Sequence, residues 1–133
     1  MALEHRRHIL VPAAGSGSRA ATLGPKQYET LAGRALIVHT LSALAQVSDI
    51  HTLAVVVSPH DTQLTALLRR EPALQHVQVW PVGGDSRAAS VSAGLKGLAE
   101  AGASDHDWVL VHDAARCLIK PEWVDRLISE CEH

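Results

Sequence analysis

The stretch HTLAVVVSPHDTQLTALLRR, His51 to Arg70, decides the fold class. Its first part, His51–Val57, is a continuous apolar run rich in valine and reads as a strand buried on both faces. Ser58-Pro59-His60-Asp61 ends the run and opens a helix through Asp61–Arg70, with Leu64, Leu67 and Leu68 on one face. The same alternation continues outward. Upstream, His8–Val11 is a short aliphatic strand closed by Pro12, and Ala35–Ala45 carries Ile37, Leu41 and Leu44 at helical spacing. Downstream, Val77–Val82 alternates and is stopped by Pro81, which suits a strand near an edge. Ser86–Ala101 reads as a helix with Val91, Leu95 and Leu98 in register, and Trp108–His112 as a fourth strand. Pro121–Cys131 is a last helix with proline in its first turn. This pattern predicts an α/β fold: a Rossmann-like three-layer sandwich with a mostly parallel sheet and right-handed crossovers.

Composition narrows the function. The chain has 133 residues, about one domain, and 47% of them are hydrophobic, enough for a real core. With no Phe and one Tyr, that core must be mainly Leu, Val, Ile and Ala. Lys plus Arg is 12 against 14 for Asp plus Glu, a net charge of −2, which argues against a nucleic-acid partner. No apolar run approaches the roughly 18 residues of a membrane span, so no membrane partner is expected. The run Ile9–Ala14 is too short for a signal-peptide core. Cys117 and Cys131 form neither a disulfide framework nor a zinc signature, and the expected location is the reducing cytoplasm. The 9 histidines are scattered and are expected to face solvent or line cavities rather than to build a structural metal site.

In an open α/β sheet ligands bind beyond the carboxyl ends of the strands, so the loops after the strands carry the chemistry. After strand one comes Pro12-Ala13-Ala14-Gly15-Ser16-Gly17-Ser18-Arg19, running on to Lys26-Gln27-Tyr28. Small residues let backbone N–H groups approach phosphate oxygens, and Arg19 and Lys26 add fixed positive charge. After strand three comes Gly83-Gly84-Asp85-Ser86-Arg87, entering the helix that carries Ser90; either Asp85 or Ser86 can cap that helix. After strand four comes His112-Asp113-Ala114-Ala115-Arg116, where an acid at a strand end suits Mg²⁺ beside phosphates or another cap. All three loops leave one edge of the expected sheet, which points to a shared nucleotide site.

Competing motifs fail. Gly15-x-Gly17-x-x-Ala20 matches a dinucleotide fingerprint, but Gly24-Pro25 interrupts the helix it needs. The acid expected at the end of strand two is also missing, since Val57-Ser58-Pro59 stands there. No Gly-Lys-Ser/Thr follows the glycines, and no GxSxG nucleophile elbow is present.

The loops PAAGSGSR and PKQY resemble the signature of the sugar-nucleotide-type nucleotidyltransferases. With GGDSRAASVSAGL at Gly83–Leu95 and VLVHDAAR at Val109–Arg116, the chain resembles the 2-C-methyl-D-erythritol 4-phosphate cytidylyltransferase family of non-mevalonate isoprenoid biosynthesis. The resemblance implies transfer of CMP from CTP to methylerythritol 4-phosphate with release of pyrophosphate. It implies that Arg19 and Lys26 are catalytic, neutralising charge on the α-phosphate and the leaving pyrophosphate. Pro12, Ala13, Ala14, Gly15 and Ala114 would border base and phosphates; Gly84, Asp85 and Ser90 would read the cytosine. Arg87 would support that loop or the ribose side, and Asp113 would hold Mg²⁺. Cys117 departs from the proline that usually follows HDAAR, and Ala89 from a usual polar residue. Acceptors such as ribitol 5-phosphate, or a non-catalytic nucleotide-binding module, are the alternatives.

The likeness covers somewhat more than the first half of a typical member. Residues 1–133 are therefore expected to be the CTP-binding portion of a nucleotidyltransferase-type domain, with the sheet incomplete at its C-terminal end. The family is expected to be a homodimer through an arm in the other half. A 133-residue form is expected to keep some CTP affinity with weak or no turnover, a marginal fold and strand four at an exposed edge.

Overall fold

The computed structural model describes residues 5–14 and 26–131. In chain order these form β1 (Arg7–Pro12), β2 (Thr30–Leu31), β3 (Arg34–Ala35), α1 (Leu36–Leu44), β4 (Thr52–Val56), α2 (Gln63–Arg69), β5 (Gln78–Trp80), α3 (Arg87–Glu100), β6 (Trp108–Val111) and α4 (Pro121–Cys131). Two 3₁₀ turns lie at Lys26–Tyr28 and Pro72–Leu74. The main sheet is fully parallel with strand order β5-β4-β1-β6. In register, β1 runs from His8 opposite Thr52 to Pro12 opposite Val56, and on its other side Leu10 lies opposite Val111. The expected α/β sandwich is therefore present, with β6 at one edge of the sheet and β5 at the other.

Side-chain alternation divides the core into two layers. Ile9, Val11, Leu53 and Val55 face the side covered by Ile37 and Leu41 of α1, Leu64 and Leu68 of α2 and Val124 of α4. Leu10, Ala54 and Val56 face the opposite side, with Val91 of α3 and Trp80. All five residues of β4 are buried, which is why its sequence is apolar without alternation.

Three readings of the sequence need correction, and one element is additional to them. The face that α3 buries is Ser90, Gly94 and Leu98, whereas Leu95 is 43% exposed. Small residues form this row because the helix lies almost on the sheet. A Cβ on Gly94 would sit 2.6 Å from Leu10 Cδ1 and 2.9 Å from Val56 Cγ2. The second helix begins at Gln63, not Asp61. Asp61 stays outside as an acceptor, its Oδ1 taking the N–H groups of Gln63 and Leu64, each at 3.0 Å. β5 is only three residues long and ends at Trp80, since Pro81 has no N–H to donate. The β2–β3 hairpin between Tyr28 and α1 has no counterpart in the sequence pattern; its turn holds Ala32 at φ 52° and Gly33 at φ 82°.

At the end of the sheet away from the strand-end loops, His8 and Asp107 are paired and buried. Their side chains are 2% and 3% exposed, with Nε2 to Oδ2 at 2.8 Å. Asp107 also accepts the backbone N–H groups of Arg6 and Ser104, each at 3.0 Å. His8 is therefore one of the expected cavity-lining histidines rather than a solvent-facing one, bordering a hollow of about 200 Å³. Among the described residues no helix is long and apolar enough to cross a membrane.

Candidate functional site

The strand order places the site. From central β1 the chain moves through β4 to β5 on one side, then returns to β6 on the other. The point where direction reverses lies between β1 and β6, and in open parallel sheets the crevice at their carboxyl ends takes ligands. A cleft of about 210 Å³ occupies this place, lined by Pro12, Ala13, Ala14, Gln27, Arg87, Ser90, Asp113, Ala114 and Ala115.

Each wall is fixed by a bond that the fold supplies. Ala13 N–H donates to Val56 O at 2.7 Å, extending the β1–β4 ladder past the strand end. Gly83 N–H donates to Val57 O at 2.8 Å and docks the next loop on the same strand. That docking leaves no room for a side chain: a Cβ on Gly83 would sit 2.1 Å from the Ala14 Cβ. Ser86 caps α3, its Oγ accepting Ala89 N–H at 3.0 Å, so of the two cap candidates the serine serves. Ser90, one turn further on and 1% exposed, accepts Gly84 N–H on its Oγ at 3.2 Å. Thr40 of α1 is fully buried and donates to Ala114 O at 2.7 Å, holding the loop after β6. Gln27 Nε2 donates to Ala13 O at 2.8 Å and seats the Lys26–Tyr28 turn against the end of β1.

Asp113 is the charged centre of the cleft. Its Oδ1 accepts Arg87 Nε–H at 2.9 Å, and Arg116 Nε lies 3.0 Å from Oδ2. The hydrogen bond from Arg87, together with the two nearby cations, holds this carboxyl below the usual carboxylate range against a smaller opposing effect of burial. The group is an anion at neutral pH. Among the described residues it is the one carboxylate lining the cleft, and no cluster of three metal-ligating side chains exists. That donor set fits a magnesium ion carried in with a nucleotide, which binds through one or two carboxylates plus phosphate oxygens. Each Asp113 oxygen accepts one guanidinium hydrogen and keeps a second lone pair for a cation.

Seven of the residues singled out in the sequence thus meet in one cleft: Pro12, Ala13, Ala14, Arg87, Ser90, Asp113 and Ala114. Gly84 joins through its bond to Ser90. Asp85 is exposed on the same loop and does not line the cleft. Arg87 supports the loop after β6 rather than its own, because its bond goes to Asp113. Lys26 is exposed at the start of the turn that presents Gln27. Gly15 and Arg19 lie outside the described residues. Gln27, Thr40 and Ala115 had no assigned role in the sequence. Thr40 did leave a signal, a polar residue on the apolar face that carries Ile37, Leu41 and Leu44.

A parallel sheet of this order, with glycine- and alanine-rich strand ends and a charged cleft at the switch point, defines a nucleotidyltransferase-type α/β protein. The family model described as IspD, 2-C-methyl-D-erythritol 4-phosphate cytidylyltransferase, matches residues 7–133, and the chain belongs to that family. A 2-C-methyl-D-erythritol 4-phosphate cytidylyltransferase of Burkholderia multivorans is 52% identical over 124 residues, 93% of this chain and 51% of the relative. A bifunctional IspD/IspF enzyme of Albidiferax ferrireducens is 49% identical over 122 residues, 92% of this chain and 28% of the relative. A crystal structure of 4-diphosphocytidyl-2C-methyl-D-erythritol synthase superposes with a TM-score of 0.83 at 34% identity, covering 99% of this chain and 57% of that one. The chain spans about half the length of cytidylyltransferase relatives such as the Burkholderia protein.

Proposed function

We propose that this chain forms the CTP-binding portion of a cytidylyltransferase that transfers CMP from CTP to 2-C-methyl-D-erythritol 4-phosphate. The observation that carries this reading is the meeting of the loops after β1 and β6 with the first turn of α3 in one cleft at the sheet's switch point. The names of its relatives supply the acceptor. An oxygen of the acceptor phosphate attacks the α-phosphorus of CTP, and the bond to the bridging oxygen of the β-phosphate breaks to release pyrophosphate. Charge grows on the α-phosphate and the leaving group, so catalysis is mainly positioning and electrostatics.

Arg19 and Lys26 are assigned to neutralise that charge. Backbone groups of Ala13, Ala14 and Gly15 border base and phosphates, while Gly84, Asp85 and Ser90 read the cytosine edge. A fixed set of hydrogen-bonding groups rejects a base that leaves them unpaired. Asp113 would hold Mg²⁺, which would supply positive charge to neutralise the phosphates. The enzyme is assigned to the cytoplasm, and a homodimer is the assembly to test for.

The first test is thermal unfolding of the 133-residue chain with Mg²⁺ and CTP, against ATP and NAD. At about a hundred times its Kd a ligand adds roughly 2.7 kcal/mol of stability. Stabilisation by CTP alone is the expected outcome; a cooperative melt that no nucleotide shifts would refute the reading. Arg19→Ala, in an assay of full-length enzyme, is expected to cost about 10²–10³ in rate while CTP binding falls only modestly. Unchanged turnover would remove Arg19 from the catalytic role.

A further inference from the structure

A second cavity, about 430 Å³ and sharing no lining residue with the nucleotide cleft, opens between the β2–β3 hairpin and α2. Its apolar wall is Val38, Ala66 and Leu67, and its rim carries Arg70, Gln63 and Thr30. That volume lies within the ordinary range of small-molecule sites, roughly 300–1,000 Å³, and an apolar wall with a few polar groups is their usual chemistry.

The charges at the rim are unequal in availability. Arg34 and Glu71 also line the cavity and are paired with each other, with Arg34 reaching Ser42 Oγ as well. Asp61, behind Tyr28, accepts the Tyr28 hydroxyl at 2.5 Å and the N–H groups of Gln63 and Leu64. Both nearby carboxylates are therefore already engaged. Among the described residues no carboxylate lies within ion-pair distance of Arg70. A guanidinium with no counterion among the described residues, beside an amide and a hydroxyl that can donate, sits at the mouth of a mainly apolar hollow.

We infer that this cavity is a second ligand site, separate from the nucleotide cleft, for a small organic acid anion: an acidic head on a short hydrocarbon body. The head pairs with Arg70, with Gln63 and Thr30 as further donors. The hydrocarbon displaces water from Val38, Ala66 and Leu67. Inorganic phosphate would satisfy Arg70 and leave that wall wet. A neutral alcohol would cover the wall and desolvate Arg70 without an ionic partner.

The test is an NMR titration of the ¹⁵N-labelled 133-residue chain with hexyl phosphate, hexanoate, inorganic phosphate and hexanol in parallel. The expected result is saturable movement of the Ala66, Leu67 and Arg70 amide signals with hexyl phosphate, hexanoate or both. Which of the two acids binds identifies the head as a phosphate ester or a carboxylate. Inorganic phosphate and hexanol are expected to bind more weakly by roughly tenfold or more, about 1.4 kcal/mol. Arg70→Glu is expected to weaken the acid by roughly the same factor, and Ala66→Trp to fill the cavity and abolish binding. Both positions are exposed, Ala66 on α2 and Arg70 just past its end, so both variants are expected to fold. The inference is overturned if neither acid gives saturable movement, if inorganic phosphate binds as tightly as the acids, or if both variants bind as the parent does. Because no arm contains CTP, failure of the nucleotide reading leaves this result standing.

Discussion

Asp113 shows how one residue connects two loops. Its carboxyl is held low first by the hydrogen bond from Arg87, then by the charges of Arg87 and Arg116. Removing Arg87 is therefore expected to raise the Asp113 pKa toward the ordinary value of about 3.9, with Arg116 preventing full recovery. A group whose pKa is depressed on folding stabilises the fold above its unfolded pKa, and that contribution disappears as pH falls through the folded value. Arg87→Ala shrinks the contribution without reversing its sign. A ¹³C-detected carboxylate titration reads the change directly, and an unaltered Asp113 curve would show that Arg87 is not its main partner. Ser90→Ala tests a neutral contact in the same cleft. It deletes the acceptor of Gly84 N–H and is expected to cost about 1 kcal/mol in urea unfolding. Asp113 could be picked out as a cleft residue because an acid followed by small residues at a strand end narrows the choices, whereas Ser90, inside α3, was given a role only through the family resemblance. Gln27 was not legible, and Thr40 showed only as a polar residue on an apolar helix face, with nothing to name its partner. Each bonds a backbone carbonyl, 14 and 74 residues away respectively, and a carbonyl leaves no mark in a sequence.

At the scale of elements, the Gly83-Gly84 loop must pass between the ends of β1 and β4. A methyl group at Gly83 would overlap the Ala14 Cβ and come within 2.8 Å of Val57 O. Neither neighbour is the far end of a flexible side chain, so the loop or the end of β1 must move. Gly83→Ala is expected to destabilise the chain by about 1–3 kcal/mol. It is also expected to weaken CTP binding, measured by calorimetry, beyond what Ser90→Ala does. Parent-like values in both measurements would mean that the loop is not held against β1. The order and kind of the long elements could be read because β4 and the helices carry apolar patterns with distinct periods. Boundaries and faces were less legible. Leu95 drew attention as a large apolar residue, yet the close packing of α3 selects the row of Ser90, Gly94 and Leu98. The β2–β3 hairpin was silent because strands of two residues have no periodicity to show.

At the scale of the whole molecule, two charge pairings stand at opposite ends of the sheet, and they do different work. The carboxyl ends of the strands gather Asp113 with Arg87 and Arg116, a charged group open to solvent and to a ligand. The opposite end buries His8 with Asp107, which ties the start of β1 to the segment entering β6 although the two are 99 residues apart in sequence. Hydrogen bonding from His8, helped by the N–H groups of Ser104 and Arg6, brings the Asp107 pKa down to about 2. Its unfolded value is about 3.9, so the ionised carboxylate stabilises the fold fully above that pH. The stabilisation is lost as pH falls from about 4 through about 2. Asp107→Asn keeps an oxygen for the backbone donors and removes the charge. In urea unfolding across this range, the variant is expected to be less stable than the parent at neutral pH and to converge with it toward pH 2. The parent's fall in stability between those limits should be flattened in the variant. A variant that keeps the parent's full acid sensitivity would place the source of that sensitivity elsewhere, and would reduce the His8–Asp107 pair to a contact that positions β1 against β6 without coupling their docking to pH.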